Sequence, residues 1–410
     1  MTFKLVLSAI VILCLLCSNC KKPDNSVSKF TADELSKTDW QTIENKVRGT
    51  KVAFAMWAGD EARNLFFRKV ATAKIKEKFD IDLQIIPLGD TAEIIAKLLN
   101  EKSSGKTSAG SVDVIWINGE NFRTAKQGNL LFGEFAKHLP NLRYYDSEAG
   151  RRDFGTPIDN LEAPWQRAQF VLAFDTARFV EPPRDFDAMG IWIKNHPGRF
   201  AYIAPPDFTG SAFLRHILFH FGGGAANFQT FDEEIYRNAS DKTFNFLNEI
   251  KPYLWRKGET YPNSTKELDK LFANSEIDFS FGYGANFASE RIKRGEFPPS
   301  VRTFVFDSGT ISNYNFLTIP FNAENPVGAS VVINYFMSHE FQVEQSQQLG
   351  SIYPHKLSAL SEAELKSLTI LTLNAATLSD EELASHSIPE ADSEYLSRLE
   401  KDWREKVLLK

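Results

Sequence analysis

The stretch Lys51–Asp60, KVAFAMWAGD, decides the fold, because an apolar run from Lys51 to Trp57 stops abruptly at the turn Ala58-Gly59-Asp60. A short apolar run bounded by a glycine turn reads as a buried strand. From Glu61 to Phe79, Leu65, Phe66, Val70 and Phe79 recur at roughly helical spacing, so the whole unit is strand, turn, helix. Downstream the unit repeats. Asp82–Leu88 reads as a strand and Thr91–Glu101 as an amphipathic helix, and Val112–Asn118 (VDVIWIN) reads as a strand leading into a helix at Asn121–Gln127. Such alternation predicts a parallel sheet covered by helices.

A second set begins further along, with Arg199–Ala204 as strand, Pro205–Thr209 as turn and Ser211–Phe221 as a helix closed by Gly222-Gly223-Gly224. Between the sets, Gln166–Asp175 (QRAQFVLAFD) reads as extended and carries the chain from one lobe to the other. Ile277–Gly284 (IDFSFGYG) reads as the return crossing, and Tyr314–Pro320 (YNFLTIP) as one more strand. Pro326–Lys410 reads as mostly helical, and its amphipathic end, Glu390–Leu409, is expected to pack on the second lobe. At 410 residues the chain is too long for one compact core. The expected class is therefore α/β, two lobes joined by hinge crossovers with a helical C-terminal region.

Lys4 followed by the apolar run Leu5–Leu16 reads as a signal peptide, since the run is too short to span a bilayer. Cys17-Ser18-Asn19-Cys20 resembles a lipobox in which Cys20 takes the lipid; the other reading is a cleaved secretory signal with an incidental cysteine. The three cysteines are Cys14, Cys17 and Cys20, so the body beyond residue 20 carries neither a disulfide nor a thiol nucleophile. Residues 1–20 are assigned to the signal peptide and 21–45 to a polar tether, with the folded body starting near Trp40. A formal net charge of -6 with interspersed signs argues against nucleic acid as partner.

Several segments, in this order, resemble the family-1 extracellular solute-binding proteins of ABC importers, which have a type II periplasmic-binding fold. They are Trp57-Ala58-Gly59-Asp60, Asp113-Val114-Ile115-Trp116, Phe170–Asp175, Phe279–Ala288 (FSFGYGANFA), Thr318-Ile319-Pro320, Asn325-Pro326-Val327-Gly328-Ala329 and the helix Ser330–Met337. The resemblance spans residues 45–350. It implies a hinged clamp, with lobe one at 46–165 plus 283–325 and lobe two at 166–280 plus 328–410. It also implies a solute-binding lipoprotein without a cofactor, a monomer on the periplasmic or extracytoplasmic side. Such a protein is tied to a membrane by its lipid and delivers a small molecule to an ABC permease with its ATPase. Carried across by position, the family's binding loops fall on Trp57, Asp60, Asn118, Gly119, Glu120, Asp207, Thr209, Gly210, Ser211, Tyr283, Asn286, Tyr314 and Asn315.

Each has a plainer alternative. Asp60 and Asp207 stand where helices take N-caps, and Thr209-Gly210-Ser211 either caps a helix or holds an anion at its amino terminus. Trp57 suits stacking on a cationic or aromatic solute, whereas Trp116 also suits a core. Tyr283 and Asn286 offer a phenol and an amide beside the return crossing, or belong to an ordinary turn. Tyr144-Tyr145 invites comparison with the tyrosine pair of ferric-binding relatives, but no His or Glu is paired with it in the sequence, and no metal ligand set is assigned. His216 and His220 read as packing residues.

Thiamine-degrading enzymes resemble this fold but need a cleft cysteine, and the chain has no GxSxG, Walker or dinucleotide motif in the right context, so a binder rather than an enzyme is expected. Asp60, Glu120 and Asp207 among aromatics favour a cationic or amine-bearing solute. The alternatives are a ferric or anion binder, or a surface lipoprotein or enzyme reusing the scaffold.

Overall fold

Lys51–Trp57 forms β1, whose Val52, Phe54, Ala55 and Met56 side chains are buried. The computed structural model describes residues 31–146, 150–368 and 375–409, so the leader, Cys20 and the first part of the tether lie outside the described residues. The further strands are β2 (Asp82–Leu88), β3 (Val114–Ile117), β4 (Arg152–Asp153), β5 (Thr156–Pro157), β6 (Glu162–Asp175), β7 (Phe279–Tyr283), β8 (Val301–Phe304), β9 (Thr310–Thr318) and β10 (Ser387–Ile388).

As the alternation predicts, β1 runs parallel to β2 and β3. Beyond β3 the sheet changes character, because β9 is antiparallel to β3 and to β6. The order is β2-β1-β3-β9-β6-β7, with β8 on β6 and β10 on β9. Strand β6 serves both lobes: Glu162–Gln169 pairs with β9, and Phe170–Asp175 pairs with β7 and β8. Its register shifts between Pro164 and Gln166, where a proline has no N–H to give the ladder.

Two cores flank this shared strand. One gathers Phe54, Phe67, Ile115, Trp165, Phe316 and Phe336; the other gathers Phe170, Phe213, Phe281, Phe304, Tyr395 and Trp403. Core membership redraws the lobes. β7, β8 and the helix Phe287–Lys293 pack in the second core, so the chain returns to lobe one along β9 and not at residue 283. The helices Pro326–Phe336 and His339–Leu349, assigned from sequence to lobe two, bury Val331, Ile333, Phe336 and Phe341 in the first core. Leu399, Trp403 and Val407 then place the C-terminal helix in the second. Apolar periodicity reveals a helix's buried face but not which of two cores receives it.

Two further expectations are corrected. Arg199–Ala204 buries Phe200, Tyr202 and Ile203, yet it forms no strand; its bonds to distant backbone are isolated ones, to the Arg199 carbonyl from Asp278 N–H, to the Phe200 carbonyl from Trp255 N–H, and from Ala204 N–H to the Pro262 carbonyl, each 2.8 Å. The second lobe is accordingly antiparallel about β6, not a second parallel set. The tether is also shorter than 21–45, because helices Ala32–Lys37 and Trp40–Lys46 bury Leu35 and Ile43 against the first core.

Candidate functional site

β1 and β3 end side by side at the carboxyl edge of the sheet, the edge at which open α/β sheets take ligands. There the half-exposed Trp57 ring meets Trp116 edge-on at 6.4 Å, and Trp116 meets the buried Trp165 at 5.2 Å. The Arg63 guanidinium lies 5.2 Å over the Trp116 ring. Trp116 Nε1 donates to Asn118 Oδ1 (3.2 Å) and Asn315 Oδ1 (3.3 Å), and Asn118 Nδ2 donates to the Tyr314 carbonyl at 3.0 Å. Four of the residues singled out from sequence, Trp57, Asn118, Asn315 and Tyr314 through its backbone, thus form one surface.

The helix Gly119–Gln127 starts at that surface. Gly119 takes φ +56, and its N–H donates to Asp153 Oδ2 at 2.6 Å; a side chain there is both strained and 3.2 Å from the Phe154 ring. Phe154 itself holds φ +43, an uncommon conformation for a bulky residue, at the tip of the β4–β5 hairpin. Asp153 Oδ1 and both oxygens of Glu162 are buried without a hydrogen-bond partner. Burial pushes both carboxyls well above the ordinary range, with Glu390 adding to the effect on Asp153 and Asp153 to that on Glu162. None of these was among the sequence candidates.

From the second lobe, the helix Phe208–Phe221 points into the same region. Asp207 caps it, Oδ1 accepting from the N–H groups of Thr209 (2.9 Å) and Gly210 (3.0 Å). Gly210 lets the helix approach the extended segment before it, since a Cβ there comes within 2.3 Å of the Ile203 carbonyl oxygen. Ser211 Oγ donates to Glu400 at 2.5 Å. One turn further, the buried Arg215 holds Glu390 through Nε (2.6 Å) and Nη2 (3.0 Å), and its guanidinium lies 5.7 Å over the Phe154 ring of the other lobe. Aromatic contacts close the junction, Phe154 to Phe208 at 6.1 Å and Phe208 to Tyr283 at 5.1 Å. The Tyr283 hydroxyl is buried without a partner, and burial raises its pKa. Exposed Glu120 stands close enough to Glu400 to raise the latter's pKa, after the larger effect of burial.

Other candidates have structural duties. Asp60 caps the helix Glu61–Phe66 by accepting from Arg63 N–H at 2.9 Å. Thr209 is buried beside Thr265, Asn286 Oδ1 accepts from Thr377 Oγ1 at 3.0 Å, and the Tyr314 hydroxyl reaches the Pro354 carbonyl at 3.3 Å. Tyr144 donates to Glu364 and Tyr145 to the Trp165 carbonyl, so the pair turns into lobe one. His216 bridges the Ala212 carbonyl and the Ile311 N–H. Among the described residues no group of three His, Cys, Asp or Glu is placed to hold a metal ion. A groove of about 310 Å³ between helices Glu233–Ile250 and Ser393–Trp403 lies apart from the lobe junction, and ions on its walls pair with one another, as Arg398 with Glu233 and Lys406 with Asp402.

Comparison with known proteins gives a consistent picture. The family model described as bacterial extracellular solute-binding protein matches residues 71–372. Protein YnjB of Escherichia coli is 36% identical over 313 residues, covering 75% of this chain and 80% of its own. The spermidine/putrescine ABC transporter substrate-binding protein PotD of Streptococcus pneumoniae superposes with a TM-score of 0.63 at 14% identity, over 87% of this chain and 99% of that one. A ferric binding protein from Campylobacter jejuni superposes with a TM-score of 0.59 at 13% identity, over 87% and 99% of the two chains. At those identities the two structures share the two-lobed fold, and their cargoes differ.

Proposed function

The chain belongs to the bacterial extracellular solute-binding protein family, and on that footing we propose that it captures a small cationic or amine-bearing solute between its lobes. It is a substrate-binding protein of ABC transporters, a class that acts outside the cytoplasm and works with a permease and its ATPase. The observation that carries the cationic reading is the excess of buried carboxyls at the lobe junction. Glu390 and Glu400 act on one buried guanidinium, Arg215, which Glu390 already neutralises, while Asp153 feels the charge of Glu390, and Glu162 that of Asp153 and, more weakly, of Lys126. Three carboxyl oxygens, on Asp153 and Glu162, have no hydrogen-bond partner. An unpaired buried carboxylate is costly, and a cationic group that binds beside it removes the cost.

In this reading Trp57 and Trp116 supply the apolar wall for the solute's carbon frame, and Asn118, Gly119, Glu120 and Asn315 complete lobe one. Ser211 and Tyr283 face them from lobe two, and closure about β6 and β9 joins the halves. The chain binds and releases without turnover, acts as a monomer, and is held to a membrane by a lipid on Cys20.

A thermal-shift screen of amines, vitamins, sugars, anions and metal salts tests the solute class. A ligand present at a hundred times its Kd adds about 2.7 kcal/mol to the stability of the form it binds. Amines are expected to raise the transition; a response to anions or metals alone refutes the reading. Mass spectrometry of each hit after incubation checks for turnover, and tritiated palmitate incorporation lost in Cys20→Ala checks the anchor.

A further inference from the structure

Arg215 uses two of its three nitrogens on Glu390, and the third, Nη1, is buried without a partner. The Tyr283 hydroxyl is also buried with no partner in full hydrogen-bond geometry, and it lies against the Arg215 side chain, whose charge acts on it together with that of Glu390. Both residues belong to the second lobe, and the guanidinium faces Phe154 of the hairpin that also carries Asp153. The junction therefore presents free acceptors on one side, Asp153 Oδ1 and the Glu162 oxygens, and free donors on the other. A buried donor on a charged group forfeits more than a neutral one when it goes unpaired.

Resting on the amine reading above, we propose that the solute carries a second, uncharged acceptor group, a hydroxyl, carbonyl or ring nitrogen, which Arg215 Nη1 and Tyr283 OH bind. The acceptor is uncharged because the guanidinium is already neutralised by Glu390, and Glu400 stands beside it as well. A carboxylate or phosphate entering there meets Glu390 and Glu400 beside one buried guanidinium, and the other cation acting on Glu400, Arg404, is exposed. A second ammonium finds only donors. The pair thus selects against plain diamines as firmly as against amino acids.

The test uses the full chain purified in detergent and calorimetric titration with matched linear probes of three to six carbons. Each probe bears one terminal amine and, at the other end, a hydroxyl, a primary amide, an ammonium or a carboxylate. The amino alcohol or amino amide is expected to bind at least tenfold more tightly than the diamine and the amino acid of equal length. Tyr283→Phe is expected to narrow that preference several-fold, and Arg215→Met combined with Glu390→Gln to abolish it. Should the double variant not fold, Tyr283→Phe alone decides, since it removes one oxygen atom. Equal or tighter binding of diamine or amino acid overturns the proposal, as does a preference unchanged in Tyr283→Phe, or no binding by any probe. Tight diamine binding leaves the amine reading standing, whereas binding only by a dicarboxylate control sinks both.

Discussion

The backbone N–H of Ser393 donates to the carbonyl of Phe154 at 3.2 Å, tying the C-terminal segment to the β4–β5 hairpin across the lobe junction. Next to this bond Gly155, at φ +76, lies so close to Asp392 that a Cβ on it comes within 2.7 Å of the Asp392 Cα. Gly155→Val is expected to push the hairpin off the second lobe and favour the open form. Small-angle scattering should show a larger radius of gyration, and solute affinity should fall about tenfold, the equivalent of about 1.4 kcal/mol. An unchanged radius with unchanged affinity argues against the hairpin as a closing contact.

Asp153 and Glu162 make the unliganded protein sensitive to base. Their folded pKa values are raised by burial, so the folded state keeps protons that the unfolded chain has lost. Their contribution to stability is therefore full below the ordinary carboxyl range and is lost as pH rises through the folded values, by up to about 1.4 kcal/mol per pH unit for each group. Glu162→Gln is expected to flatten this slope in urea titrations and to raise stability near neutral pH by about 1–3 kcal/mol. The same variant should weaken amine binding.

His216 and His355 act in the opposite direction. Burial lowers each to about 3, His216 taking the Ile311 N–H on Nε2 and His355 giving Nε2–H to the Met337 carbonyl. Both must charge on unfolding in acid, so their contribution is full above 6.5 and is lost as pH falls toward the folded value. Going from pH 6.5 to 5 removes on the order of 2 kcal/mol per histidine. His216→Gln and His355→Asn should each show a shallower acid slope than the parent, whatever their absolute stability.

The Arg215–Glu390 pair predicts a non-additive result. Arg215→Met leaves a buried carboxylate uncompensated and is expected to cost about 3–5 kcal/mol. Adding Glu390→Gln should restore much of that loss, and a double-mutant cycle by denaturant unfolding measures the coupling. Additive losses would mean that the pair is decoupled.

What the sequence made legible follows local chemistry. KVAFAMWAGD specifies β1 and its turn because apolar burial and a glycine stop are properties of neighbouring residues, and the Trp57, Asn118 and Gly119 loop ends follow from that strand pattern. Gln166–Asp175 also reads correctly as a crossing, although β6 starts earlier, at Glu162, across a bulge that breaks the alternation. The charged centre of the candidate site was not legible. Arg215 sits in the apolar run FLRHILFHF, where a lone arginine was a signal in itself, but its partner Glu390 lies 175 residues away and nothing local names it. Asp153 and Glu162 fall in an irregular stretch without periodicity. Lobe membership failed for the same reason, since helix Pro326–Phe336 is apolar nearly all round and fits either core.

β6 and β9 carry a mechanical asymmetry. Their shared ladder, Gln166 against Asn315 through Gln169 against Ser312, runs along the line joining the lobes. A ribbon of this kind yields easily to twist but bears a lengthwise pull in shear, with its rungs loaded together. Drawn apart by the ends, the two lobes should each unravel before the ribbon slips, so the part that yields most easily to twist is also the part that holds longest under tension.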